Sequence, residues 1–74
     1  MAQEIIEVPL TGKITSVEVK VGDKVREGDT ICFIESMKME NPIMVPVDNG
    51  TIVQLNVAVE QIVKPGEIIA IIEY

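Results

Sequence analysis

The 74-residue chain has no histidine, no tryptophan and one cysteine, Cys32. A lone thiol cannot close an intramolecular disulfide, and the usual Cys/His zinc sites cannot be assembled from it. The commonest general base is missing, and Cys32 has no partner to activate its thiol, so the chain reads as a non-catalyst with no metal site. Cations are scarce: six basic residues stand against twelve acids, for a net charge of -6. Phosphate backbones and anionic lipid surfaces need the opposite balance, so no nucleic-acid partner is expected. Long apolar runs are absent too. Stretches such as Ile68 to Ile72 fall far short of the ~20 residues that span a bilayer, which argues against direct membrane insertion. The opening "MAQEIIEV" has neither the basic start nor the apolar core of a targeting peptide. A soluble cytoplasmic protein is the expectation.

What the chain does have is β-branched residues. Apolar residues make up 47% of it, mostly Val and Ile, whose stiffness at χ1 suits a pleated sheet better than a helix. One domain is all that 1-74 can form, and regular packing must stabilise it, because so small a unit buries only about 60% of its unfolded surface. An internal repeat supplies the regularity. "GKITSVEVKVGDKVREGDTICFIE" (12–35) lies over "GTIVQLNVAVEQIVKPGEIIAIIE" (50–73) without gaps at an offset of 38, with nine identities in 24 positions. Val8-Pro9 and Val45-Pro46 match one residue out of register, giving halves of about 8-35 and 45-73. Within each half, alternation at Val17, Val19, Val21 and at Leu55, Val57, Val59 predicts a half-buried strand. Turn residues follow, with Gly28 and Gly66 suited to positive φ, and then a second apolar strand. Gly12 and Gly50 read as turn residues opening each copy. No stretch shows capped helical periodicity. The predicted fold is all-β: two units packed face to face as a flattened β-barrel or sandwich with pseudo-two-fold symmetry.

Residues 36-44 join the halves as a hairpin whose turn falls at Met37-Lys38. Lys38 is then exposed at a tip, with both chain termini at the opposite end. A solvated turn lysine needs no explanation, but Met37 and Met39 beside it do: exposing two large apolar side chains has no folding benefit and marks an interaction site. Met39 could instead pack inward. Pro42 restricts Asn41 to extended backbone and suits an edge strand. Glu35, Ser36 and Glu40 form the hairpin rim, with the acids read as solvated and steering of a partner as the alternative. Cys32 reads as a buried apolar residue.

These residues carry a resemblance. "ESMKMENPI" is similar to the attachment motif of the biotinyl/lipoyl domain family, its Met37-Lys38-Met39 core to the biotin version; "PLTGKITSVEVKVGDKVREGD" and "VPVDNGTIVQLNVAVEQIVKPGEIIAIIE" resemble the two halves of that domain. The resemblance implies two four-stranded antiparallel sheets (a barrel-sandwich hybrid) with the attachment lysine on a hairpin tip. It implies a biotin carboxyl carrier: a biotin protein ligase joins biotin covalently to Lys38, Met37 and Met39 contribute to recognition, and the arm moves a carboxyl group between biotin carboxylase and carboxyltransferase or decarboxylase subunits. Some acetyl-CoA carboxylase carriers in this family have an inserted loop, for which the span from Gly22 to Thr30 has no spare residues. A free-standing subunit and a domain of a larger protein both fit. Two rival readings stand beside it: a lipoyl or dual carrier serving 2-oxoacid dehydrogenase or glycine cleavage systems, and an unmodified assembly domain whose methionines contact a partner.

Overall fold

The computed structural model describes residues 1–74. Eight strands and no helix make up the chain: β1 (Gln3–Glu7), β2 (Gly12–Val17), β3 (Lys24–Arg26), β4 (Thr30–Ser36), β5 (Met39–Met44), β6 (Asn49–Leu55), β7 (Ile62–Val63) and β8 (Ile68–Glu73). They form two four-stranded antiparallel sheets, ordered β1-β8-β6-β3 and β5-β4-β2-β7. Exchanging β1 with β5, β2 with β6, β3 with β7 and β4 with β8 turns one order into the other. The pseudo-two-fold axis expected from the repeat is thereby realised.

The repeats do not, however, form one sheet each. Every sheet takes two strands from the first half and two from the second. The crossing point is the turn after β2. There Gly22 donates its N–H to Ile52 O at 2.8 Å and Ile52 donates back to Asp23 O at 2.9 Å; symmetrically, Glu60 donates to Ile14 O at 2.7 Å and Ile14 to Gln61 O at 2.9 Å. Each half therefore clasps the central strand of the other. Neither half can satisfy these backbone groups alone, so the unit folds as one. The predicted alternating strand through Val21 also ends early. β2 stops at Val17, and Val21 is 59% exposed, because residues 18–23 leave the sheet to make this crossing.

Fifteen residues are buried and every one is hydrophobic, most of them Ile or Val. With no buried polar side chain, nothing in the core needs a compensating partner. Cys32 is among these residues, fully buried on β4. Burial pushes its thiol from 9.0 up to about 11. An acid whose folded pKa is raised adds stability that is complete below its unfolded pKa and is lost as pH climbs through the folded one. Thermal melts should accordingly show stability falling between pH 9 and 11, and Cys32→Val should flatten that stretch of the profile.

Turns close on matched side chains. Lys20 donates its N–H to Asp23 Oδ2 at 3.0 Å, and at the equivalent place Ala58 donates to Gln61 Oε1 at 3.0 Å. Gly28 and Gly66 adopt φ of 90° and 93°, as their turns require. Gly22 has φ 97°, whereas its repeat counterpart Glu60 is held at φ 79°. A residue with a Cβ is strained there by roughly 1–2 kcal/mol, while glycine loses about 0.4–1 kcal/mol to unfolded-chain entropy. Glu60→Gly should raise the unfolding free energy by about 0.5 kcal/mol in urea titration.

Candidate functional site

The β4–β5 hairpin pairs Ile34 with Asn41, Glu35 with Glu40 and Ser36 with Met39, which leaves Met37 and Lys38 as a two-residue loop. Both have positive φ, 53° and 68°. This is the geometry of a type I′ turn, whose hand matches the right-handed twist of the flanking strands. The favoured occupants of such a turn are Asn-Gly or Gly-Gly; two long side chains cost roughly 1–2 kcal/mol each. Strain held at a tip points to a use for the side chains. The sequence located the turn but gave no sign of its left-handed backbone, since the usual glycine is absent.

Lys38 is exposed. The ion pair in the structure joins Lys13 to Glu60 at 3.9 Å and leaves the Lys38 amine free. Met37 is 92% exposed and Met39 67%. The inward alternative for Met39 is thus wrong: it stands opposite Ser36 at the sheet edge, outside the core. Glu35 and Glu40 are exposed and Ser36 half-buried, so all six rim and tip residues singled out in the sequence lie on one hairpin.

Three further residues hold that hairpin, none of them read as site residues from sequence. The Asn41 amide Nδ2 donates to Ile34 O at 3.2 Å and to Met39 O at 3.3 Å, tying the edge strand to its neighbour just below the turn. Thr15 donates its hydroxyl to Glu40 Oε1 at 2.7 Å, reaching across the outer face of β4. It can do so because the β2–β4 register slips between Ile14 and Ser16, and such a bulge re-aims the extra side chain. Gly12 is the third. It opens β2 as a strand residue, and the turn role expected of it and of Gly50 does not hold. A Cβ on Gly12 would collide with the Glu35 carbonyl oxygen and lie 2.6 Å from Ile34 Cγ2. At Gly50 the obstacles are the Ile72 side chain and Glu73 O at 3.1 Å. Close approach of strands, not a turn, requires these two glycines. Asn41→Ala should lower stability by about 1 kcal/mol, the net worth of such bonds, measured by denaturant unfolding.

The termini occupy the other pole. Ala2 and Tyr74 exchange backbone hydrogen bonds of 2.8 and 2.9 Å, in the position that Met39 and Ser36 hold in the partner sheet. β2 begins beside the hairpin, with Lys13 opposite Glu35. The segment it leads into then pairs Lys24 with Thr51, itself opposite Glu73. One continuous run thus connects the hairpin pole to the terminal pole. The expected separation of Lys38 from both ends follows.

A family model described as "Biotin-requiring enzyme", for the biotin/lipoyl family, matches residues 4–72. The chain belongs to this family. Among its relatives, the mitochondrial methylcrotonoyl-CoA carboxylase subunit alpha of Dictyostelium discoideum is 44% identical over 64 residues, covering 86% of this chain and 9% of that protein. The "biotinylated protein TB7.3 homolog" of Mycobacterium leprae is 32% identical over 69 residues, covering 93% of the chain and 96% of that protein. The fold matches part of a single-chain, multi-domain long-chain acyl-CoA carboxylase with TM-score 0.88 at 22% identity, over 96% of this chain and 7% of that one. The chain therefore spans less than a tenth of the carboxylases it resembles and nearly the whole of the small mycobacterial relative. One of these relatives is named as biotinylated, and the hairpin of this chain ends in a lysine with a free amine on a solvent-facing turn.

Proposed function

We propose that Lys38 is the residue on which this biotin carrier domain holds its cofactor. The observation that carries the reading is the strained Met37-Lys38 turn, which thrusts one unpaired lysine beyond two fixed strands. An amine on such a turn is presented in a defined place, so little orientational freedom remains to be lost when an enzyme engages it. The ammonium gives one proton to a base of the ligase, Nζ forms the new bond to the activated biotinyl carbonyl, and a second proton leaves Nζ as the activating group departs. The chain becomes one charge more negative, because an amide replaces an ammonium. When bound, biotin supplies the site that accepts a carboxyl group from one catalytic partner and releases it to another. This chain supplies no catalytic group of its own.

On this reading the partners are a biotin protein ligase, a biotin carboxylase, and a carboxyltransferase or decarboxylase. The carboxylase names of its relatives support the last two classes. No helix is long and apolar enough to cross a membrane, and the cytoplasm remains the proposed location. The lipoyl alternative is not favoured, since the relatives are named for carboxylation and biotinylation. The test is to incubate the chain with biotin protein ligase and biotin, and in parallel with lipoyl ligase and lipoate, followed by intact mass and tryptic mapping. A single biotinyl adduct at Lys38 is expected. A folded chain that takes no biotin, or takes only lipoate, overturns the reading.

A further inference from the structure

The internal symmetry provides a control for surface residues on the paired strands, because a strand position at the hairpin pole has a counterpart at the terminal pole in the same sheet setting. Several pairs differ in chemistry, Glu7 and Met44 among them; the pair that bears on the hairpin pole is Lys24 and Ile62. Ile62 opens the short edge strand β7 and Lys24 opens its counterpart β3. Both face outward, followed by buried Val63 and Val25. Folding accepts a lysine at this place in one sheet, so it does not demand an isoleucine in the other. Yet Ile62 is 62% exposed, an apolar side chain that stabilises little where it stands.

Its location gives it a use. Ile62 pairs with Lys13, Lys13 with Glu35 and Glu35 with Glu40, so the four side chains form one row across the outer face of the sheet, directly below the Lys38 turn. At about 4.8 Å per strand the row is roughly 14 Å long. A protein that encloses the tip through a standard patch of about 800 Å² reaches all of it, since such a patch is roughly 30 Å across. The row is also unbalanced for folding. Glu35 and Glu40 are directly opposed, and like charges so placed destabilise a sheet. Thr15 holds Glu40 by hydrogen bond, and the Lys13 amine lies toward Glu60. The row thus presents carboxylates at the hairpin end and an uncovered apolar side chain at the other.

We propose that Ile62 is a docking residue for the biotin protein ligase, seated in an apolar recess of an enzyme surface whose cationic groups meet Glu35 and Glu40. This rests on Lys38 being the modified residue. Ile62 lies away from the amine, so it contributes to binding the carrier and not to the acylation step. Its loss therefore appears in KM and not in kcat.

The experiment measures initial rates of biotinylation against carrier concentration for the wild-type chain, Ile62→Lys, Ile62→Thr and Lys24→Ile, with melting temperatures alongside. For Ile62→Lys, KM should rise about tenfold with kcat within about twofold of wild type, and the melting temperature should stay within about 4 °C, as for other exposed positions. Ile62→Thr keeps the β-branched backbone preference and should raise KM about threefold, which guards against a folding defect in the lysine variant. Lys24→Ile should change neither constant. Wild-type KM in both Ile62 variants, on a chain modified at Lys38, overturns the docking role alone. A folded wild-type chain left unmodified overturns the attachment reading, and this inference with it.

Discussion

Lys38→Arg should abolish biotinylation while leaving the fold intact. Both side chains are cations that a solvated turn accommodates, and Lys38 forms no ion pair whose geometry the change could disturb. The difference is in the proton. A lysine ammonium can release one to a base in the ligase, whereas a guanidinium holds its proton far more tightly and has no free lone pair for attack on a carbonyl. The expected result is no adduct by intact mass after prolonged incubation, with circular dichroism and melting temperature at wild-type values. An adduct on the variant would place attachment on one of the four remaining lysines, Lys13, Lys20, Lys24 or Lys64. The unmodified-assembly reading predicts instead that the wild-type chain, treated in parallel, takes no adduct either.

The second large effect is expected at Gly12. Gly12→Val puts three carbon atoms where the Glu35 carbonyl and the Ile34 side chain already lie. Interiors at crystal-like density have no slack to absorb them, and overpacking of this kind costs typically 1–3 kcal/mol. Ile34 is fully buried and the Glu35 obstacle is backbone, so the upper end, about 3 kcal/mol, applies. Against a total stability of roughly 4–11 kcal/mol for a chain this size, that is a large fraction. The melting temperature should fall by roughly 15 °C. Gly50→Val provides the comparison, since it crowds Ile72 and Glu73 at the terminal pole. Both variants should lose stability, but only Gly12→Val should slow biotinylation of the folded fraction, because only Gly12 lies beneath the hairpin. Equal rates in the two would show that the Gly12 contact sets stability and has no part in placing Lys38.

Much of this molecule was legible in one dimension because its signals are local or repeated. The β-branched composition, the 38-residue offset and the turn glycines each act through neighbouring backbone or through a pattern that any sheet must obey. The hairpin position of Lys38 followed from where one copy ends and the next begins. Less visible were the residues whose role depends on a distant neighbour. Thr15 meets Glu40 across 25 positions, by way of a register slip that no hydrophobic pattern announces. Asn41 was placed in an extended edge strand because of Pro42, but its two amide bonds depend on which carbonyls β4 brings beside it.

The fold class, the symmetry and the tip on which the lysine stands are written in one dimension, because periodicity and repetition are properties of the chain. That the halves interlock through Asp23 and Gln61 instead of stacking as separate sheets emerges in three dimensions. So do the need for Gly12 and Gly50 where strands lie close and the row that Ile62 shares with the hairpin acids. Those facts concern distances between residues far apart in the chain, which are fixed when backbone hydrogen bonds and apolar burial are satisfied together.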